Sequence, residues 1–190
     1  MASELIVQTI QGPSSGANAN KVLIPSGHTL DVSGGTLVPS AGAVVQVLSA
    51  TKTDTASFTT GSWIDVNGLS VTITPTSASS KILVSCDLFT GINNVNSMYW
   101  RFAKNSAPIG VGNSGTILSS GGYYSDVSNA VFSFSGTSGS FLDSPNTTSS
   151  VTYNIQVRTY DNTQTGYLNR RGQDTLVGAI STLNIMEIAQ

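Results

Sequence analysis

Between Leu69 and Phe89 the chain reads LSVTITPTSASSKILVSCDLF, and both halves of this stretch alternate with a period of two. Leu69, Val71 and Ile73 alternate with Ser70, Thr72 and Thr74, and Ile82, Val84, Cys86 and Leu88 fall between Lys81, Ser85 and Asp87. Successive side chains of an extended strand point to opposite faces, so each half presents an apolar face to be covered. Pro75 to Ser80 forms a polar connection: Pro75 has no amide hydrogen for a ladder, and the Thr, Ser and Ala beside it offer little to bury. The two strands are expected to be joined by this short loop and to pair as a hairpin. Their shared apolar face requires a second sheet, which makes the fold class all-β.

Further runs supply that sheet. Val44 to Thr51 opens the region, and Phe58 and Trp63 flank a turn at Thr59-Thr60-Gly61-Ser62. Met98, Trp100 and Phe102 share one face, with Tyr99 and Arg101 on the other, and Asn105 to Pro108 turns the chain. Ala130, Phe132 and Phe134 fit one face of a strand, and Val151, Tyr153, Ile155 and Val157 alternate with Thr152, Asn154, Gln156 and Arg158. In the closing run, Ile180 to Ile188, Leu183 and Ile185 face inward while Met186 and Ile188 fall opposite. A last strand apolar on both faces is expected to have a partner on each, the second being another subunit. About eight or nine strands, spaced roughly 10 to 20 residues apart, predict an antiparallel β-sandwich of jelly-roll type over residues 43–190.

Charged residues make up 9% of the chain and the net charge is -2, against about 25% charged in an average soluble domain. Polarity is carried by 29 serines, 22 threonines and many Asn and Gly, which suit strands and turns and make poor helix interiors. No helix is expected. Such a surface lacks the electrostatic footprint for nucleic acid or anionic lipid, so protein or carbohydrate partners are expected. Cys86 is the single cysteine, so no intrachain disulfide forms, and its position on an apolar strand face predicts an inert buried thiol. The start MASELIVQTIQGP has no basic segment and no long apolar core. It reads as neither signal peptide nor membrane span, and the chain is expected to be made in a cytosol and kept there or released by lysis.

Residues 1–42 differ in character. Leu5 to Ile10 is a short apolar run, followed by the flexible GPSSGANAN from Gly12 to Asn20, which reads as an anchor and a hinge. Val22-Leu23-Ile24-Pro25-Ser26 is echoed at Thr36-Leu37-Val38-Pro39-Ser40, with Leu30 and Val32 two apart between the copies. Strands this short bury too little to stand alone. Either three chains wrap them around one axis, through Val22, Ile24, Leu30, Val32 and Leu37, or they form a hairpin packed on the main domain.

The segments ITPTSASSKILV, Trp100-Arg101-Phe102, Phe141 to Pro145, Val151-Thr152-Tyr153, Leu168-Asn169-Arg170, Ser181-Thr182-Leu183 and Met186-Glu187-Ile188 together resemble small tail-fibre and virion-associated structural proteins of marine phages, cyanophages in particular. The resemblance runs from about Leu69 to Ile188 and implies a trimeric β-sandwich head made in a host cytoplasm and carried on a virion; residues 1–42 are similar only in style to fibre attachment and shaft segments. It implies no catalytic motif. The expected partners are the chain itself as a homotrimer with Met186 and Ile188 at its interface, other virion proteins through residues 1–20, and a host-surface glycan or protein.

The residues offer little chemistry. Gly110-Val111-Gly112-Asn113-Ser114-Gly115 satisfies G-x-G-x-x-G, but that pattern cradles phosphate only where a helix follows, and Thr116 to Gly122 is no helix. His28 is the only histidine, so a serine triad has no base away from the repeat segment. One His and one Cys make no nitrogen-sulfur metal site, and no D-x-D-x-D-G loop occurs. The expectation is therefore no cofactor, no metal and no enzyme. Two readings stay beside host attachment: a capsid-decorating or head-fibre protein, and more distantly a glycan depolymerase using two of the scattered aspartates. For a receptor, aromatic faces and planar donors on loops are the groups to seek. Tyr123 and Tyr124 near Asp126, and Tyr167 with Asn169, Arg170 and Arg171, have that chemistry. The alternative is that Tyr124 and Tyr167 fill gaps at a subunit interface and that one arginine pairs with Asp174 across the loop.

Overall fold

The structure, a computed structural model, describes residues 12–17, 19, 21–29, 39–125, 132–172 and 174–190. The chain divides into two units, Met1–Val38 and Pro39–Gln190. In the first, Val22, Leu23 and Ile24 are exposed and outside any strand, and the His28 N–H donates to the Pro25 carbonyl at 3.1 Å in a turn. Leu30, Val32 and Leu37 lie outside the described residues.

Among the described residues the second unit holds eleven strands: β1 (Val44–Lys52), β2 (Ala56–Phe58), β3 (Ile64–Ile73), β4 (Lys81–Ile92), β5 (Asn96–Lys104), β6 (Ala107–Ile109), β7 (Gly121–Ser125), β8 (Phe134–Asp143), β9 (Val151–Thr159), β10 (Gly166–Leu168) and β11 (Ser181–Ile188). Among the described residues there is no α-helix. All pairings are antiparallel, in two sheets. In sheet A, β1 pairs with β11, β11 with β4, and β4 with β8; β10, paired with β2, extends the line of β11 along the same edge of β4. In sheet B, β3 pairs with β9 and β9 with β5, whose far edge is shared by β6 and β7. Joining β1 to β2, β6 to β7 and β10 to β11 as interrupted ribbons leaves eight, in the order 1-8-3-6 in sheet A and 2-7-4-5 in sheet B.

The sandwich follows from the alternation. Ile82, Val84, Cys86 and Leu88 of β4 and Leu183 and Ile185 of β11 face Met98, Trp100 and Phe102 of β5 and Tyr153, Ile155 and Val157 of β9 in one buried core. Each such large apolar side chain contributes about 1.5–3 kcal/mol relative to exposure. Burial pushes the Cys86 thiol up to about 12, which keeps it protonated and unreactive near neutrality. The sheets approach each other at both edges, where β1 lies beside β3 and β7 beside β8.

Two local expectations are corrected. β3 and β4 do not form a hairpin: β3 pairs with β9 in one sheet and β4 with β11 and β8 in the other. Pro75 to Ser80 arches between the sheets, and the buried Glu187 anchors the arch by accepting from the Thr76 N–H and hydroxyl, both at 2.7 Å. Burial alone would raise the Glu187 pKa, but hydrogen bonds from Gln46 and Thr76 outweigh it and hold it below the ordinary glutamate value. The run through Ala130, Phe132 and Phe134 does not form one strand face either. β8 begins at Phe134, Phe132 is exposed outside it, and Ala130 lies outside the described residues.

The topology gives the second unit two ends. At one lie its first residues and Gln190, joined by the Gly42 N–H to Ala189 carbonyl bond of 2.8 Å, with the β3–β4 arch and the β8–β9 loop. At the other lie the β2–β3, β4–β5 and β9–β10 loops. The inner faces of both sheets are taken by the core, which leaves the two outer faces and the two ends exposed.

Candidate functional site

The outer face of sheet A carries an apolar row. Val47 of β1 is in register with Met186 of β11, Met186 with Leu83 of β4, and Leu83 with Leu142 of β8. Val47 is 56% exposed and Leu142 52%, with Met186 and Leu83 half-buried between them. Beside this row Val44 pairs with Ile188. The neighbouring registers are uncharged or nearly so: Ser49, Asn184, Ser85 and Ser140 in one, then Thr51, Thr182, Asp87 and Ser138. Met186 and Ile188 thus stand on the outward side of β11, opposite the fully buried Leu183 and Ile185.

At the second end the β10–β11 loop folds back over the outer face of the same sheet. A Cβ on Gly91 would lie 2.6 Å from the Arg170 carbonyl oxygen and 3.0 Å from Arg171 Cα, so glycine is what lets this loop cross β4. Asn169 is 1% exposed, with φ of 60°. Its Nδ2 donates to the carbonyls of Lys52 at 2.8 Å and Asp54 at 2.9 Å, and its Oδ1 accepts from the Ser181 hydroxyl at 2.7 Å. Asn169 therefore ties β11 and the β1–β2 segment together and presents nothing to a partner. Arg170 stacks over the half-buried Tyr167 ring at 4.5 Å, and Arg171 over Phe132 at 5.2 Å. Arg171 pairs with Asp174 through two hydrogen bonds of 2.8 and 2.9 Å, the structural alternative weighed above.

That pairing, with the Leu176 N–H, holds the Asp174 carboxyl at about 2 against an ordinary 3.8. An acid with a depressed folded-state pKa loses its contribution as pH falls through that value, so the contact stays whole above about pH 4 and opens towards pH 2. Carbon-detected NMR titration is expected to give Asp174 a midpoint near 2, returning towards the ordinary aspartate value in Arg171→Ala. An ordinary midpoint in the unaltered chain would contradict the pairing.

Tyr123 and Tyr124 separate because neighbouring strand residues point to opposite faces. Tyr123 packs on the core, and Tyr124, 61% exposed, stands on the outer face of sheet B. Tyr124 and the Tyr167 group consequently sit on opposite sheets and do not converge; Asp126 lies outside the described residues.

The outer face of sheet B holds a cluster that loop-centred reasoning missed. Arg101 of β5 stacks on Trp63 at 4.2 Å, and Arg158 of β9 lies 5.9 Å from the same ring. The Arg101 Nε donates to Gln156 Oε1 at 2.8 Å, and Gln156 Nε2 and Asn154 Nδ2 both donate to Asp65 Oδ1, at 2.8 and 2.7 Å. Burial and the neighbouring Arg158 pull the Arg101 guanidinium below its ordinary pKa. Among the described residues neither arginine forms an ion pair, whereas Lys52, Lys104 and Arg171 each do. The visible signal was the outward set Thr152, Asn154, Gln156 and Arg158, long polar side chains on a strand central to its sheet.

No protein-family model and no curated protein matches the chain.

Proposed function

We propose that this chain is the trimeric attachment head of a phage virion, joined to the particle through residues 1–20 and presenting its β-sandwich to a host-surface glycan or protein. The observation that carries this reading is the apolar row Val47–Met186–Leu83–Leu142 on the outer face of sheet A. Four aligned apolar side chains on a flat sheet face favour burial against another surface. On β1, β11, β4 and β8 that outward face carries only Lys81 and Asp87 as charges, so identical copies meet with little repulsion. A closed three-fold arrangement buries the row on every copy.

The ribbon order 1-8-3-6 over 2-7-4-5 fits a jelly roll, an architecture of viral capsid and lectin domains, and supports the same reading.

Particles assembled with a chain lacking residues 1–20 test this. The truncated protein is expected to be soluble and missing from particles, whose adsorption to host cells falls by an order of magnitude or more. Incorporation of the truncated chain would put the anchor elsewhere, and normal adsorption by particles that lack the protein would favour capsid decoration.

A further inference from the structure

The outer face of sheet B combines four features that the hydrophobic and structural requirements of the fold do not demand. Arg101 and Arg158 lie beside one indole and without a carboxylate partner among the described residues. They occur on a chain of net charge -2, where the other described side-chain cations except Lys21, Lys81 and Arg170 are in ion pairs. Next to them runs a polar ladder, Gln156, Asp65 and Asn154, in which Asp65 Oδ1 takes two amide donors and its second oxygen has no partner among the described residues. The ladder opens into a trough of about 550 Å³ lined by Asp65, Asn67, Ser70, Asn105, Thr152 and Asn154. On the other side of the arginines, Tyr99 is in register with Arg158, and Tyr124 follows towards the sheet edge.

The trough exists because β3 is irregular between Asp65 and Ser70, with Gly68 at φ of 87°. The bulge lifts Val66 to Leu69 away from regular pairing with β9 and leaves a recess where a flat sheet would have none. From Arg158 to Thr152 the face runs six residues along one strand, about 20 Å, the reach of a short oligosaccharide.

We propose that this face binds an anionic saccharide. Its carboxylate or sulfate ester lies between Arg101 and Arg158, drawing on the guanidinium N–H groups that remain after Arg101 Nε donates to Gln156 at 2.8 Å and Arg158 Nε and Nη2 donate to the Thr159 and Tyr160 carbonyls, both at 3.0 Å. Neighbouring sugar hydroxyls exchange hydrogen bonds with Asp65, Asn154, Ser70 and Thr152 in the trough, and Tyr99 and Tyr124 offer rings to C–H faces. Two arginines suit one anionic group per site. A nucleic acid would instead need a track of phosphate contacts, which this face lacks.

Binding here is independent of the attachment reading. A chain that binds anionic saccharide yet plays no part in adsorption overturns that reading and leaves this one standing.

Calorimetric titration of the full-length chain at low salt, with trigalacturonate and with a sulfated galactan oligosaccharide as separate probes, tests it. Maltotriose, inorganic sulfate and a single-stranded oligonucleotide serve as comparators. Saturable binding of at least one anionic saccharide is expected, at least about ten-fold tighter than maltotriose or sulfate and weakened about ten-fold or more by Arg158→Gln. Arg101→Lys, which keeps the charge but loses the stacked fork, is expected to weaken binding less than Arg101→Gln, while Arg170→Gln leaves it unchanged. Whichever probe binds tells a uronate from a sulfate ester. The proposal is overturned if neither anionic saccharide binds, if maltotriose or the oligonucleotide binds as tightly, or if Arg158→Gln and Arg101→Gln, each folded by its melting curve, bind like the unaltered chain.

Discussion

Gly139→Ala is expected to lower the melting temperature by roughly 4 to 12 °C, equivalent to about 2 to 3 kcal/mol. Trp100 is the largest fully buried side chain, and its indole lies directly against two glycines. A Cβ on Gly139 would stand 2.6 Å from Trp100 Cη2, and one on Gly121 would stand 2.6 Å from Cε2 and Cζ2. The indole has no easy retreat: its Nε1 donates to Thr137 Oγ1 at 3.1 Å, and its ring meets Phe102 edge-on with centroids 5.4 Å apart. Gly121→Ala is expected to be as damaging. Gly136 on the same strand is the control, because a Cβ there meets only the Phe89 ring, at an ordinary 3.5 Å. Gly136→Ala is therefore expected to change stability by less than about 1 kcal/mol, and Trp100→Phe should relieve part of the Gly139→Ala loss when the two are combined. Calorimetric melting of the set decides the matter; equal melting temperatures for Gly136→Ala and Gly139→Ala would refute the packing account.

A second large effect is expected at Asn169. Replacement by Ala removes three hydrogen bonds at once, two buried and one partly buried, leaving the carbonyls of Lys52 and Asp54 and the Ser181 hydroxyl without this partner. Each such loss costs about 1–3 kcal/mol, and the φ of 60° adds about 1 kcal/mol for a residue with a Cβ that asparagine tolerates better. The expected loss is about 3 to 5 kcal/mol by chemical denaturation. Asn169→Gly removes the bonds without the backbone penalty and is expected to recover only that last part. Were the glycine variant as stable as the unaltered chain, the bonds would contribute nothing.

The strands were legible wherever an apolar face meets the core and a polar one meets water, as in Val151–Thr159 and Ser181–Ile188. β8 was hidden for a physical reason. Its inward residues include Ser135, Thr137 and Gly139 because Trp100 from the opposite sheet fills the space there, so the strand carries little apolar period. The missing β3–β4 hairpin has a different cause: alternation reports which face of a strand is buried, and an arch between sheets leaves the same alternation as a turn within one. At the surfaces, residue type was visible but partners were not. Asn169 and Tyr123 have receptor-like chemistry, yet one is consumed by backbone carbonyls and the other by the core. The Tyr123–Tyr124 divergence was readable from strand periodicity alone. Asp65, Asn154, Gln156 and Arg101 come from three strands far apart in the chain, and only the pairing of β3, β9 and β5 gathers them.

Sedimentation of the purified full-length chain at micromolar concentration tests the proposed trimer most directly, alongside Leu83→Asp, which sets a charge in the middle of the row on sheet A. A species of three times the 19.7 kDa chain mass is predicted for the unaltered protein. Leu83→Asp, at a half-buried outward position, should retain the β-sheet spectrum and sediment as a monomer. A 19.7 kDa monomer for the unaltered chain, or an undiminished trimer in Leu83→Asp, would contradict the account.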